Sequence, residues 1–145
     1  MQIEYSLMQK EDVKNVALIE SECFSKPWSE AAFERAVDDK NYIFMVARAD
    51  GQIVGMAGLI VSFDEADITN VAVTESHRKN KIARGMLTTL MAHGEANGIS
   101  AFTLEVRESN TPAIKLYESL GFECAGKRRD FYDLPKEDAL IYWKR

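Results

Sequence analysis

The chain has 145 residues, 46% of them hydrophobic and 28% charged, with a formal net charge of -5. These are the proportions of an ordinary globular protein with one core, so the expectation is a single domain over residues 1–145. The acidic balance argues against nucleic acid as the main ligand, no apolar run approaches the roughly 20 residues that crossing a bilayer requires, and Met1 to Tyr5 has neither the basic start nor the apolar core of a secretion signal.

The reading is therefore a cytoplasmic protein without a membrane partner. Cys23 and Cys124 lack metal-ligand spacing and read as two free, buried thiols. Ile3, Tyr5 and Leu7 alternate as a first strand. Val13, Val16 and Ala17, then Cys23 and Phe24, recur at helical spacing after Glu11-Asp12. Pro27-Trp28-Ser29 breaks that helix, and Ser29 can cap a second one carrying Phe33, Ala36 and Val37. Ile43 to Ala47 is a continuous apolar strand; Asp50-Gly51 is a hairpin signal, and Ile53 to Val61 pairs back. Asp64-Glu65 turns into a further strand, Ile68 to Val73.

The period then changes. Ile82, Met86 and Leu90, with Ala83, Leu87 and Met91, form a stripe at i, i+4 spacing, a long helix that ends near Gly98 as a C-cap. Phe102, Leu104 and Val106 alternate as the next strand. Asn110 or Thr111 can cap a helix with Pro112 in its first turn, which packs Ala113, Leu116, Tyr117 and Leu120 inward and stops at Gly121. Phe122 to Gly126 and Ala139 to Trp143 read as final strands. The order β-α-α-β-β-β-α-β-α-β-β predicts an α/β protein with a mixed sheet and helices on both faces.

Between the strand Ile68 to Val73 and the long helix lies Arg78-Lys79-Asn80-Lys81-Ile82-Ala83-Arg84-Gly85. A helix N-terminus presents free backbone N–H groups and the positive end of a dipole, which makes it an anion site. Cations there oppose the dipole by roughly a few tenths of a kcal/mol each, a cost that a strongly anionic ligand offsets. A solvated basic face is the alternative. The segment Val71-Ala72-Val73 through Leu87 resembles motif A of the GNAT superfamily of N-acetyltransferases, whose core is Arg/Gln-x-x-Gly-x-Gly/Ala. Arg78 and Ala83 fit its first and last positions, whereas Lys81 stands at the central glycine and Lys79 where another glycine is common. Two backbone readings are open: near-helical geometry at Lys81 with its side chain toward solvent or phosphate, or a positive φ at Asn80 that absorbs the strain.

Leu104 to Asn110 and Ala113 to Phe122 resemble motif B of the same superfamily, in the form of its RimI-type, ribosomal-protein alanine N-acetyltransferase branch. Phe24 to Ser29 with Phe33, Arg128 to Tyr132, and Glu137-Asp138-Ala139 extend the resemblance over nearly the whole chain. It implies the GNAT fold, an α/β (α+β) domain with a mixed, mostly antiparallel sheet of about seven strands and about four helices on its two faces. It implies acetyl-CoA as co-substrate, no metal, and a protein N-terminus as acceptor, the alanine of a small-subunit ribosomal protein, acetylated by a monomer or weak dimer. In that branch a Glu and a Tyr serve as proton acceptor and proton donor, and residue by residue these roles fall on Glu105 and Tyr117. The same matching assigns Val71, Ala72 and Val73 to backbone pairing with the pantetheine arm. It assigns Arg78, Lys79, Asn80, Lys81, Ile82, Ala83 and Arg84 to the pyrophosphate, and Asn110 to a further cofactor contact.

The residue types suit that chemistry. An α-amine with a reference pKa of about 7.7–8.0 is partly neutral near neutral pH, so one carboxylate suffices as base. Glu105 faces away from Phe102, Leu104 and Val106, with Thr103 and Arg107; an ion pair with Arg107 is its alternative. A tyrosine, at a pKa of about 10, is protonated at neutral pH and can donate to a leaving thiolate. A core tyrosine bonded to a carbonyl is the alternative for Tyr117. Trp28, after a helix-breaking proline, and Tyr132, in an apparent loop, read either as core or as residues that grip the peptide N-terminus. The rival functions are acetylation of lysine side chains or small amines, and a non-catalytic CoA-binding module.

Overall fold

The structure, a computed structural model, describes residues 1–78 and 81–145. Two of the expected phosphate-binding residues, Lys79 and Asn80, lie outside the described residues. Among the described residues the strands and α-helices follow as β1 (Ile3–Leu7), α1 (Val13–Cys23), α2 (Glu30–Val37), β2 (Tyr42–Ala49), β3 (Gln52–Ser62), β4 (Glu65–Val73), α3 (Ile82–Ala96), β5 (Ala101–Arg107), α4 (Thr111–Ser119), β6 (Glu123–Asp133) and β7 (Lys136–Lys144). They build one sheet in the order β1-β2-β3-β4-β5-β7-β6, antiparallel except for the β4–β5 pair. Parallel neighbours need a crossover, and α3 supplies it.

Local chemistry sets the boundaries. Asp50 and Gly51 sit at φ 50 and 89, the two positive values that a tight hairpin turn demands. Ser29 Oγ accepts from the Ala32 amide at 3.1 Å and starts α2. Past α3, Gly98 (φ 93) and Ile99 donate back to the carbonyls of Glu95 and Gly94 at 3.1 and 3.0 Å, a Schellman ending. Asn110 rather than Thr111 caps α4, accepting from the Ala113 amide at 3.3 Å.

The sheet buries both faces. On one side Met86, Leu87 and Leu90 of α3 meet Met45 and Ala47 of β2; on the other, Val13, Val16 and Phe33 meet Phe44 and Val46 of the same strand. β4 breaks this regularity. Gly58 faces Thr69 and Met56 faces Ala72, so Ala57 is opposed by two residues, Asn70 and Val71, in a β-bulge. Asn70 sits at φ 54, which asparagine tolerates better than most residues. The extra residue inverts the side-chain parity. Ala66 and Ile68 face the α3 side before the bulge, whereas Val73 does so after it and Ala72 joins the α1 and α2 side. β4 and β5 pair only through Glu65 to Asp67 and Ala101 to Thr103, and then separate.

Two expectations are corrected. β6 and β7 continue well beyond the expected ends to form one long hairpin, so Tyr132 lies on a strand and not in a loop. β6 is an edge strand whose residues Lys127 to Asp130 are all exposed, so no apolar alternation marks it. The same edge position leaves Cys124 exposed rather than buried, while Cys23 is half-buried; both thiols are free. Among the described residues no helix is long and apolar enough to cross a membrane.

Candidate active site

The separation of β4 from β5 opens a cavity of about 750 Å³. The bulged segment of β4, Ile68 to Val71, lines one side and Leu104 to Arg107 of β5 the other, and Tyr117 of α4 and its N-cap Asn110 complete the lining. The loop after α1 and the tip of the β6–β7 hairpin meet across it: Ser25 Oγ donates to the Leu134 carbonyl at 2.9 Å, and Lys26 Nζ pairs with Asp133 at 2.6 Å. Arg107 anchors that tip, donating to the carbonyls of Pro135 and Leu134 at 2.8 and 3.1 Å and pairing with Glu137 at 3.2 Å.

Glu105 is half-buried in this cavity. Burial first, and the nearby Asp67 carboxylate second, push its pKa above the usual carboxylate value, while Arg128 and a backbone hydrogen bond oppose the shift. The alternative pairing of Glu105 with Arg107 is not formed, because Arg107 is turned to Glu137 and the hairpin. Tyr117 is 7% exposed and packs edge-on against Phe122 with ring centroids 6.0 Å apart. Burial, with a smaller contribution from Tyr132, pushes its phenol up to about 12. Tyr132 lines the same cavity with its ring beneath the Arg107 guanidinium, 4.3 Å from centroid to carbon, and burial and then the Glu105 charge raise its own pKa. Glu105, Tyr117 and Tyr132 are thus brought together.

Trp28 is not. Its ring packs on Phe33, Phe44 and Tyr42 at 5.2, 5.5 and 5.9 Å, away from the residues that line the cavity. Trp28 is half-buried in this aromatic cluster beside α2 and does not line the cavity that holds Glu105, Tyr117 and Tyr132.

The turn before α3 has a sharper geometry than its sequence implied. Lys81 itself takes the left-handed conformation, φ 60 and ψ 19, where glycine is the low-cost residue. Near-helical geometry at Lys81 is therefore corrected, and the competing reading rests on Asn80, outside the described residues. Among the described residues the first helical bond is Gly85 N–H to the Lys81 carbonyl at 3.1 Å, and the amides of Ile82, Ala83 and Arg84 ahead of it have no intrahelical acceptor there. The Ile82 side chain is 2% exposed and Ala83 packs on the core, so an anion has only their amides to meet. Gly85 makes room for Tyr5: a Cβ there would lie 2.2 Å from the Tyr5 hydroxyl, which donates to the Ile82 carbonyl at 3.3 Å, so a larger residue would have to displace that ring. Arg78 folds back on β4, its Nε donating to the Val73 carbonyl at 3.0 Å, and Arg84 donates to Ser119 Oγ at 2.6 Å. Val71, Ala72 and Val73 lie beyond the last β4–β5 pairing, so among the described residues one edge of this stretch has no strand beside it. Asn110 lines the cavity while its Oδ1 caps α4.

Sequence reasoning passed over Glu20, Asn70 and the Arg107 anchor. Asn70 had a signal, a turn-forming residue inside an otherwise β-prone run, which marks a bulge. Glu20 had one too, since it falls four residues after Val16 on the buried stripe of α1.

The profile of the acetyltransferase (GNAT) family matches residues 13–122. The chain belongs to this family. It is accordingly an acetyl-CoA-dependent N-acetyltransferase. It is 34% identical over 138 residues to the ribosomal protein bS18-alanine N-acetyltransferase of Escherichia coli (strain K12), covering 94% of this chain and 93% of that one. The enzyme of the same name from Salmonella typhimurium is 35% identical with the same coverage. The crystal structure of the ribosomal-protein-S18-alanine N-acetyltransferase from Escherichia coli matches with a TM-score of 0.89 at 33% identity, covering 98% of this chain and 92% of that chain. Arabidopsis thaliana NAA60, crystallised with acetyl-CoA, shares the fold at a TM-score of 0.86 and 19% identity, covering 99% and 98%.

Proposed function

We propose that the chain transfers the acetyl group of acetyl-CoA to a protein N-terminal α-amine, that of the alanine of ribosomal protein bS18, with Glu105 as proton acceptor and Tyr117 as donor to the leaving thiolate. One observation carries the catalytic assignment: Glu105 from β5 and Tyr117 from α4 line a single cavity that opens beside the unpaired edge of β4. The acceptor is supported by the relatives named for bS18-alanine acetylation, which match over 94% of the chain.

In this reading the pantetheine arm lies along Val71, Ala72 and Val73 as an added strand. The pyrophosphate sits on the start of α3, where the amides of Ile82, Ala83 and Arg84 and the charges of Arg78, Lys79, Lys81 and Arg84 favour an anion. The resemblance assigns Asn80, outside the described residues, to the same pyrophosphate contact. The Asn110 amide nitrogen, left over from capping, is the further donor. Tyr132, held flat by Arg107, shapes the acceptor end.

The amine nitrogen attacks the thioester carbonyl carbon and the C–S bond breaks. The proton released from nitrogen goes to Glu105, directly or through water, and sulfur leaves as a thiolate toward Tyr117. An α-amine already has a neutral fraction near neutral pH, so Glu105 is needed only for the proton that attack releases. Its raised pKa makes it a better acceptor than an exposed carboxylate.

Peptides that differ only in their first residue, incubated with acetyl-CoA and read by mass spectrometry, test the acceptor. An alanine-first peptide is expected to gain one acetyl group on its α-amine. Acetylation confined to lysine ε-amines overturns the proposal.

A further inference from the structure

Glu20 is 2% exposed, a carboxylate that α1 turns into the core. One oxygen, Oε2, accepts from the Trp28 amide at 3.0 Å and from Asn70 Nδ2 at 2.9 Å. One partner, Asn70, lines the cavity, and the other, Trp28, follows a loop that lines its opposite side. Trp28 closes the loop after α1, of which Phe24, Ser25 and Lys26 line the cavity. Asn70 is the left-handed residue of the β4 bulge and immediately precedes Val71 to Val73. Burying a carboxylate is costly, and Oε1 accepts nothing among the described residues. An apolar side chain would pack α1 with less desolvation, but it could not hold these two donors at one point.

We infer that Glu20 is a positioning residue for acetyl transfer, a carboxylate that holds the β4 bulge and the loop after α1 on a single oxygen and so sets the gap between thioester and amine. The inference rests on the proposed placement of the pantetheine arm along β4 and of the acceptor beside the loop. Each substrate keeps its own contacts when Glu20 is removed, but their relative placement is lost. Reacting groups that must approach to about 3–3.5 Å lose rate steeply with small misplacement, so the deficit belongs in kcat rather than in the affinity for acetyl-CoA.

The test compares kcat per folded molecule, measured well below the Tm, with the hydrogen-exchange rate of the Trp28 amide. Glu20→Ala is expected to lower kcat by about tenfold or more, to leave the KM for acetyl-CoA within about threefold, and to speed exchange at Trp28. Glu20→Gln retains an oxygen able to accept both bonds and is expected to keep kcat within about threefold of wild type. A merely structural role would lower the Tm of Glu20→Ala while kcat per folded molecule stayed at the wild-type value, and that result overturns the inference. Should Glu20→Ala fail to fold, Asn70→Gly decides: glycine keeps the left-handed backbone but deletes the bond. A fall in kcat of about threefold or more supports the inference, and an unchanged kcat overturns it. A wild-type protein inactive toward every amine would instead overturn the acyl-transfer reading, and the inference with it.

Discussion

Tyr117→Phe removes one oxygen and little else. The ring is 7% exposed and its contact with Phe122 is one that phenylalanine keeps, so the stability change is expected to stay below about 1 kcal/mol. In the proposed reaction, what is lost is a hydrogen bond to sulfur as the C–S bond breaks. A hydrogen bond to a charged group is worth about 1.5–3 kcal/mol, which corresponds to about 10- to 150-fold in kcat. Burial decides the form that this help takes. With the phenol pushed up to about 12 and a thiol reference near 8.5, complete transfer of the proton is uphill by about 3.5 pKa units, or about 5 kcal/mol. In the proposed reaction Tyr117 then acts as a donor that hydrogen-bonds the leaving sulfur rather than transferring its proton completely. The neutral phenol is the active form, and a raised pKa keeps it neutral to higher pH, so wild-type kcat is expected to show no alkaline limb from Tyr117 until pH nears 12. Release of CoA, followed with a thiol reagent at saturating substrates between about pH 6 and about pH 10, measures both effects. A fall of less than about threefold in Tyr117→Phe, or a wild-type alkaline limb near pH 10 that the substitution abolishes, would refute the reasoning.

Glu105→Gln is expected to lower kcat by about 100-fold. Its carboxylate is the active form, and burial with Asp67 raises its pKa, so the acidic limb of the wild-type profile should lie above that of an exposed carboxylate and vanish in the variant; a loss under about tenfold sinks the assignment. Lys81→Gly, at φ 60, relieves about 1–2 kcal/mol of left-handed strain against about 0.5–1 kcal/mol of added chain entropy, so calorimetry should find a Tm higher by about 1–4 °C. The same variant loses a cation beside the proposed pyrophosphate, so its affinity for acetyl-CoA should fall at low salt, with a loss that shrinks at high salt. A lowered Tm would show that the left-handed turn carries no strain, and a salt-independent affinity would place Lys81 away from the phosphates.

How much of this was legible in the sequence follows from what is local. Helical period, the Asp50-Gly51 turn, the Ser29 and Asn110 caps and the Gly98 stop act within a few residues, and all appear where the pattern puts them. Strand parity turned Glu105 away from the core, and helix phase turned Tyr117 inward, so both candidates were visible singly. Their meeting was not. It depends on the bulge at Asn70 and the divergence of β4 from β5, which long-range pairing decides. The β6 extension was hidden because an edge strand exposed along its length carries no apolar alternation. For Trp28 the sequence leaves core and ligand contact open, because a tryptophan after a proline looks the same in either place; its ring packs on Phe33 and Phe44. Neither backbone reading of the turn puts the left-handed residue at Lys81, because nothing in a lysine announces a positive φ.

A single peptide that begins with alanine and carries an internal lysine separates the proposed activity from its rivals. After incubation with acetyl-CoA, tandem mass spectrometry locates the acetyl group. Acetyl on the alanine α-amine, formed at least about tenfold more slowly by Glu105→Gln, is the expected result. Acetyl on the lysine alone, or on neither amine with a protein that still binds CoA, would contradict it.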